Sequence, residues 1–512
     1  MNPDNEINDW LTNCPQHRLL NEIRNINSDY AHTWVVLDDD PTGTQTVHDV
    51  PVITIWDTAM LVDLLREQCP VFYILTNSRS MDAVEAVDLV KTITRNLEAA
   101  SDETGRTCHI ILRSDSTLRG HHPEEMDAVL DIRQKNPELK VIHPSFIEGG
   151  RFTFRKIHYA RDESRYIPCG ETQFAEDPAF GYKSSNLAEW IIEKTGNRIT
   201  ANQITHFPVD TLRDSTVSEL VSRIQEIKSG SYVIADALGY YDIDTFCLAL
   251  LRSGRTFIAR TAASFVASIA GIWPRNLLDH KDIQHSTENG GLIVAGSWVG
   301  KTTRQIEYLV GHSDIIEIVL DVRQLLEQYD DENYQQSIAD VIQQHLENRK
   351  DVLVYTSRER LTADEFQKYL LNQKNDPSWA NRKMTTSDEN RELFLHQKNV
   401  PVDTGRETVA AGERRANLEI GNRVSASLSG LIGALSATPS FLIAKGGITS
   451  SDIATKALAV KRARVMGQIL PGVPVWKLGR ESKYPGMPYV IFPGNVGGDD
   501  AMLNAYRRII GN

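Results

Sequence analysis

The chain has 512 residues, 41% hydrophobic and 24% charged, with a mean hydropathy of −0.33. That balance excludes a mostly disordered chain and a polytopic membrane protein, and the length predicts roughly two to four domains or two large α/β lobes. Lys and Arg number 55 against 68 Asp and Glu, a formal charge of −13 that disfavours generic nucleic-acid binding but leaves room for a small anion held by a local cationic cluster.

The N-terminal MNPDNEINDW is acidic and polar, with no basic n-region and no apolar h-region, so no signal peptide is expected. TWVVLDD (33–39), VPVITIW (50–56), VFYILTN (71–77), CHIILRS (108–114) and KVIHPSF (140–146) are short apolar runs that predict strands. Between them, Val84, Val87, Val90, Ile93 and Leu97 recur at three- and four-residue steps and predict a helix over 82–97. Strand and helix in this alternation imply a mostly parallel sheet covered on both faces, with sites on the loops after the strands' carboxyl ends.

A polar stretch at 280–290 reads as a linker, and a second strand series follows. Its members are GGLIVAGS (290–297), IIEIVLD (315–321), DVLVYTS (351–357), SFLIAKGG (440–447) and MPYVIFPGN (487–495). The expected architecture is therefore two α/β lobes with mostly parallel sheets, 1–285 and 286–512, and an active site in the cleft between them. Residues 372–399 predict a polar surface insertion. The apolar stretch 427–444 is broken by Pro439 and predicts a packed helix entering a strand, not a membrane span. Cys14, Cys69, Cys108, Cys169 and Cys247 are odd in number and lack metal-ligand spacing, which predicts reduced thiols in a cytoplasmic protein.

Four polar clusters follow strands of the first series. In LDDDPTGTQT (37–46), Asp38, Asp39 and Asp40 are adjacent carboxylates that need a cation, a donor or solvent. TNSRS (76–80) brings Arg79; RSDSTLRGHHPEE (113–125) brings Arg113, Ser114, Asp115, Ser116 and Arg119; HPSFIEGGR (143–151) brings Gly149, Gly150 and Arg151. A guanidinium fork suits a carboxylate, and a nearby Asp can accept a hydroxyl proton, so the clusters together suit a small polyhydroxy acid. His121, His122 and His143 have no metal-ligand pattern and read as supporting residues.

In the second series the loops are glycine-rich. GGITSSD (446–452) and FPGNVGGDDAM (492–502) each lie between a strand and a helix, where backbone N–H groups can close on phosphate. AGSWVGKTT (295–303) is a third such loop. Residues 295–302 also fit a relaxed Walker A with Gly300, Lys301 and Thr302, so a P-loop NTPase is an alternative reading.

Taken together, LDDDPTG, TNSRS, RSDSTLRG, HPSFIEGGR and IPCGETQFAEDP resemble successive motifs of the four-carbon acid sugar kinase family. GSWVGKTTRQ, KGGITSSD, QILPGVPVWKLG and FPGNVGG continue the resemblance in order to the C-terminus. The resemblance implies an N-terminal lobe for a tetronate-like acid and a C-terminal lobe for ATP with Mg²⁺. The reaction it implies is phosphorylation of the acid's terminal hydroxyl, in a cytoplasmic enzyme with no nucleic-acid or membrane partner and compatible with a homodimer. By the same resemblance Asp39 and Asp40 match the catalytic Asp pair, and Arg79, Arg113, Ser114, Asp115 and Ser116 match the acid-binding residues. Ser297, Gly446, Gly447, Ile448, Thr449, Gly494, Asn495, Val496 and Gly497 match the nucleotide loops; the metal ligands are not legible. Departures are Arg113 where Lys is commoner, Ile448 in place of Glu, and Phe492 with Pro493 where Lys-Ser is usual. Such altered turns also suit a non-catalytic protein that binds the sugar acid and regulates.

Overall fold

The computed structural model describes residues 3–511 apart from 30–31, 134–138, 163–164, 284, 286, 297–299, 329–330, 358–406 and 495, and the expected insertion at 372–399 lies outside the described residues. The first apolar runs form β1 (His32–Asp38), β2 (Pro51–Ile53), β3 (Val71–Leu75), β4 (Thr107–Arg113) and β5 (Leu139–His143). A separate antiparallel sheet holds β6 (Arg151–Phe154), β7 (Ile157–Asp162) and β8 (Arg165–Pro168). The first half closes with β9 (Ile204–Phe207), β10 (Ser231–Ala235) and β11 (Phe257–Thr261). The second half contributes β12 (Leu292–Ala295), β13 (Ile316–Leu320), β14 (Val352–Thr356) and β15 (Leu442–Lys445). It ends with β16 (Arg462–Leu470), β17 (Val473–Leu478) and β18 (Pro488–Phe492).

The apolar runs are continuous because both faces of the sheet are covered. Along β1, Trp34 and Val36 enter one apolar cluster while Val35 and Leu37 enter another. Each such aliphatic side chain contributes about 1.5–3 kcal/mol on burial. The predicted helix spans Ala83–Thr104. Asp82 caps its first turn by accepting from Val84 N and Glu85 N, and Gly105 ends it in the left-handed region. Among the described residues no helix is long and apolar enough to cross a membrane. All five cysteines are free thiols, and only Cys69 is partly exposed.

The expectation of a sheet in each lobe is corrected here: one mixed 15-stranded sheet runs through both halves. Its order is β13-β14-β12-β15-β18-β17-β16-β2-β3-β1-β4-β11-β5-β10-β9. The link is the β16–β17 hairpin, in which β17 pairs antiparallel with β18 and β16 pairs antiparallel with β2. β18, β17, β16 and β2 therefore alternate in direction, and β2 is parallel to β3. As a result the parallel strands of the two halves run oppositely. In a flat sheet their carboxyl ends would face apart. β16 carries register shifts between Val465 and Gly467 and between Gln468 and Leu470, and irregularities of this kind bend and twist a strand.

The seam is pinned by side chains from the loop after β1. Trp476 Nε1 donates to Thr44 Oγ1 at 2.9 Å, and Gln45 Nε2 donates to the Gly472 carbonyl at 3.1 Å, both in buried surroundings. Asp49 N donates to Val465 O at 2.7 Å. Trp476→Phe, which removes one of these bonds, is expected to cost about 1–3 kcal/mol. The urea midpoints of far-UV circular dichroism and of tryptophan fluorescence should fall together; a shift in one probe alone would contradict a single cooperative sheet.

Candidate active site

β3 and β4 flank β1 in parallel, with Asp38 in register with Leu75 on one side and with Arg113 on the other. This register brings the loop after β3 and the end of β4 against the carboxylates that end β1. Arg113 Nη1 lies 3.2 Å from Asp38 Oδ1 and 3.6 Å from Asp39 Oδ1. Arg79 Nη2 pairs with Asp40 Oδ2, and its Nη1 lies 3.2 Å from Asp115 Oδ1. Arg119 Nε lies 2.8 Å from the other Asp115 oxygen. The cation that three adjacent acids require is thus supplied by the guanidiniums that the resemblance assigns to the substrate.

The three carboxylates are not equivalent. Burial, with some relief from Arg113, pushes Asp38 up to about 8. Gly43 sits against this group, where any side chain would collide with the Asp38 carboxylate. Burial also raises Asp39, although Arg79 and Arg113 oppose it, and both of its carboxylate oxygens are buried without a hydrogen-bond partner. For Asp40 the burial cost is outweighed by Arg79 and by Thr42, whose backbone N donates at 2.8 Å, so this carboxyl is held below its ordinary range. Asp115 is likewise lowered, its burial outweighed by Arg119 and Arg79.

The loop after β4 is fixed by its neighbours. Ser114 N donates to Thr261 O at 2.8 Å, and His158 Nε2 is 2.7 Å from Ser116 O. A carbonyl only accepts, so Nε2 carries the proton and Nδ1 accepts from Thr153 Oγ1 at 3.0 Å. The Ser114 and Ser116 hydroxyls make no hydrogen bond among the described residues.

Three further residues border this cluster. Glu125 accepts from Ser78 Oγ at 2.5 Å and is pushed by burial up to about 7. Arg260, near the end of β11, donates to the Arg119 carbonyl at 2.7 Å and stacks on Trp190. Arg151 donates from Nη1 to the Gly149 carbonyl, while its Nε is buried with no hydrogen-bond partner. His121, His122 and His143 are buried, and burial pulls His143 down to about 3. His121 Nε2 lies 3.1 Å from the Ser78 and Met81 carbonyls, whereas His122 and His143 have no hydrogen-bond partner on either ring nitrogen and pack against Trp190 and Phe265.

In the second half, β12, β15 and β18 are adjacent and parallel, so their carboxyl-end loops meet. Ser297 and Asn495 lie outside the described residues. Gly446 has φ 111° and Gly497 φ 83°, conformations that favour glycine. A side chain on Gly296 would meet Thr449 Oγ1 at 2.5 Å, so the first and second loops are in contact. Gln305 Nε2 donates to Val496 O at 3.1 Å and to Gly498 O at 2.8 Å, holding the third. Gly494 is partly buried, and Ile448, 37% exposed, presents an apolar side chain where a Glu would present a carboxylate. Lys301 stands in the first turn of the helix Gly300–Gly311. Its loop is one of three around the site.

The two groups of loops touch. Gly447 packs directly on Asp40, and a methyl at Gly447 would collide with the Asp40 carboxylate. Among the described residues no group of three or more His, Cys, Asp or Glu is placed to hold a metal by itself.

Residues 34–269 match the family model of a sugar-binding N-terminal domain, and residues 292–382 and 374–502 match that of a nucleotide-binding C-terminal domain. A D-erythronate kinase of Heliobacterium modesticaldum is 22% identical over 337 residues, 64% of this chain and 71% of that protein. A Salmonella typhimurium LT2 protein, described as a candidate tRNA synthase, superposes with a TM-score of 0.61 at 17% identity over 93% of this chain and 99% of its own. Haemophilus influenzae protein HI1011 gives a TM-score of 0.56 at 17% identity over 93% and 100%. At these identities the two structures establish a shared fold.

Gly447→Ala is expected to leave the fold intact while straining the contact with Asp40 by about 1–3 kcal/mol. Turnover should drop tenfold or more with the melting temperature little changed. Unchanged turnover in a kinase assay of this variant would show that the contact is not maintained in solution.

Proposed function

The chain belongs to the four-carbon acid sugar kinase family, and on that footing we propose that it is an ATP-dependent kinase for the terminal hydroxyl of a four-carbon acid sugar of the threonate, erythronate or 3-oxo-tetronate type. The observation that carries this reading is the contact of Asp40 with Gly447, which sets the acid cluster of the sugar-binding half against a nucleotide loop. We place the boundary near residue 285, with 1–285 for the acid and 286–512 for ATP, and the active site between them.

Asp39 is the general base in this reading, since its oxygens accept no hydrogen bond and burial raises its basicity. It takes the proton of the terminal hydroxyl as that oxygen bonds to the γ-phosphorus, while the bond to the β-phosphate oxygen breaks and ADP leaves. Asp40, kept ionised by Arg79 and facing the nucleotide loop, is the carboxylate that would hold Mg²⁺, which takes one or two carboxylates beside phosphate oxygens. The ion supplies neutralisation of charge on the transferred phosphoryl group.

Arg79 and Arg113 first let the acid cluster exist, and Arg79 also orients Asp115. The substrate carboxylate then falls to Arg151, which has no carboxylate at ion-pair distance among the described residues and lies in the field of Asp115 and Arg119. The Ser114 and Ser116 hydroxyls are left for substrate hydroxyls. Backbone N–H groups of Gly446, Gly447, Ile448, Thr449, Gly494, Val496 and Gly497 are left for the nucleotide.

A coupled ADP-release assay over a panel of four-carbon acids is expected to show turnover with at least one. Binding of an acid without any ADP release would instead establish the regulatory alternative. Asp39→Asn should lower kcat by about 10²–10⁴-fold with nucleotide affinity retained. Because Asp39 must be ionised to act and its pKa is raised, wild-type activity should climb with pH through a limb above the ordinary carboxylate range. Retention of that limb in Asp39→Asn would remove Asp39 from the base role.

A further inference from the structure

Two ammonium groups stand among the nucleotide loops with no role in the scheme above. Lys445 ends β15 and is fully buried, and its Nζ donates to the Pro493 carbonyl at 2.6 Å. The same nitrogen lies 4.0 Å from the centre of the Phe492 ring. One bond from the lysine that ends β15 thus ties down the start of the third loop. Lys301, in the helix that follows the first loop, is near enough for its charge to act on Lys445.

Neither lysine has a carboxylate at ion-pair distance among the described residues; Asp452, in the helix after the second loop, pairs with Lys456 at 2.9 Å. Among the described residues the surroundings of Lys445 offer no other titratable partner. The flanking strands place Ala295 and Phe492 beside it, the turn 446–449 carries no ionisable side chain, and the helix Gly300–Gly311 brings Lys301. A buried ammonium beside a second cation is costly to charge. Burial first, and the Lys301 charge second, accordingly pull Lys445 down to about 6. Near neutral pH the free protein therefore favours Lys445 as the neutral amine, which still donates to Pro493.

A polyphosphate is the counter-charge this place lacks. We propose that Lys445 and Lys301 are the cationic receptor for the phosphate chain of the nucleotide, and that Lys445 takes up a proton from solvent as the phosphates arrive. The inference rests on the nucleotide-binding assignment of the second half and adds to it a lysine outside the glycine loops and a proton linked to binding. It also gives Lys301 a part without making its loop a P-loop: removing Lys301 weakens binding and does not abolish it.

The test is isothermal titration calorimetry of MgADP into the full-length protein, in buffers of different ionisation enthalpy, from pH 5 to pH 7. The protonation of the nucleotide itself is measured in the same buffers and subtracted. Net proton uptake is expected at pH 7, falling as the pH is lowered to 5, where more of Lys445 is already charged. Lys445→Met should lose the uptake and bind at least tenfold more weakly. Lys301→Ala should bind more weakly and take up fewer protons at pH 7, because Lys445 then returns toward its ordinary value. If Lys445→Met does not fold, the wild-type pH series decides alone. Binding with a proton count that is flat from pH 5 to pH 7 would overturn the proposal and leave the nucleotide site standing. Absence of any binding by ADP or ATP would overturn the nucleotide assignment and the proposal together.

Discussion

Three consecutive carboxylates buried at the end of one strand set the terms for the rest of this protein. Asp38, Asp39 and Asp40 cannot be ionised together in a dry interior, so the fold must deliver positive charge to within a few ångströms. It does so through register. With β3 and β4 on either side of β1, Arg113 falls opposite Asp38, and Arg79 follows β3 by one turn of loop. Gly43 leaves room for the Asp38 carboxylate, and Asp115 and Arg119 extend the network outward. Charge compensation then divides the trio. Asp38 is a structural acid, Asp40 is fixed by Arg79 and Thr42, and Asp39 keeps its oxygens unused.

The second constraint is topological. The parallel strands of the two halves run in opposite directions, yet their carboxyl-end loops meet where Gly447 packs on Asp40. The β16–β17 hairpin reconciles these demands by inserting antiparallel strands and bending through its irregular register. Thr44 and Gln45, directly after the acid trio, bond to that hairpin. The last acid of the trio and the joint are therefore four to five residues apart in sequence, and the position of Asp40 against Gly447 is set by both.

Much of this was legible in the sequence. Because the main sheet is covered on both faces, its strands read as uninterrupted apolar runs, and β1, β3, β4, β5, β12, β15 and β18 lie where those runs are. The loops after them carry the residues that meet. The hairpin was harder to see: RARVMGQIL and VPVWKL mix exposed and buried positions, and the PGVP turn between them reads as a motif instead of a strand connection. Without that hairpin there is no way to tell two sheets from one. Pairing was also hidden, since spacing shows that Arg79 and Arg113 face a site but not that Asp40 and Asp38 reach them first. Lys445 gave a faint signal as a lone cation closing an apolar strand directly before two glycines. Its isolation from acids appears only in three dimensions.

The continuous sheet has a mechanical corollary. Two domains on a flexible linker close by swinging, and the resistance is small. Here the halves are also joined by a hydrogen-bonded ribbon, so turning one half against the other means winding β16 and β17 more or less tightly, as one loads a torsion spring. The stiffness of that ribbon, more than the length of the linker, then resists any change in the angle between the halves.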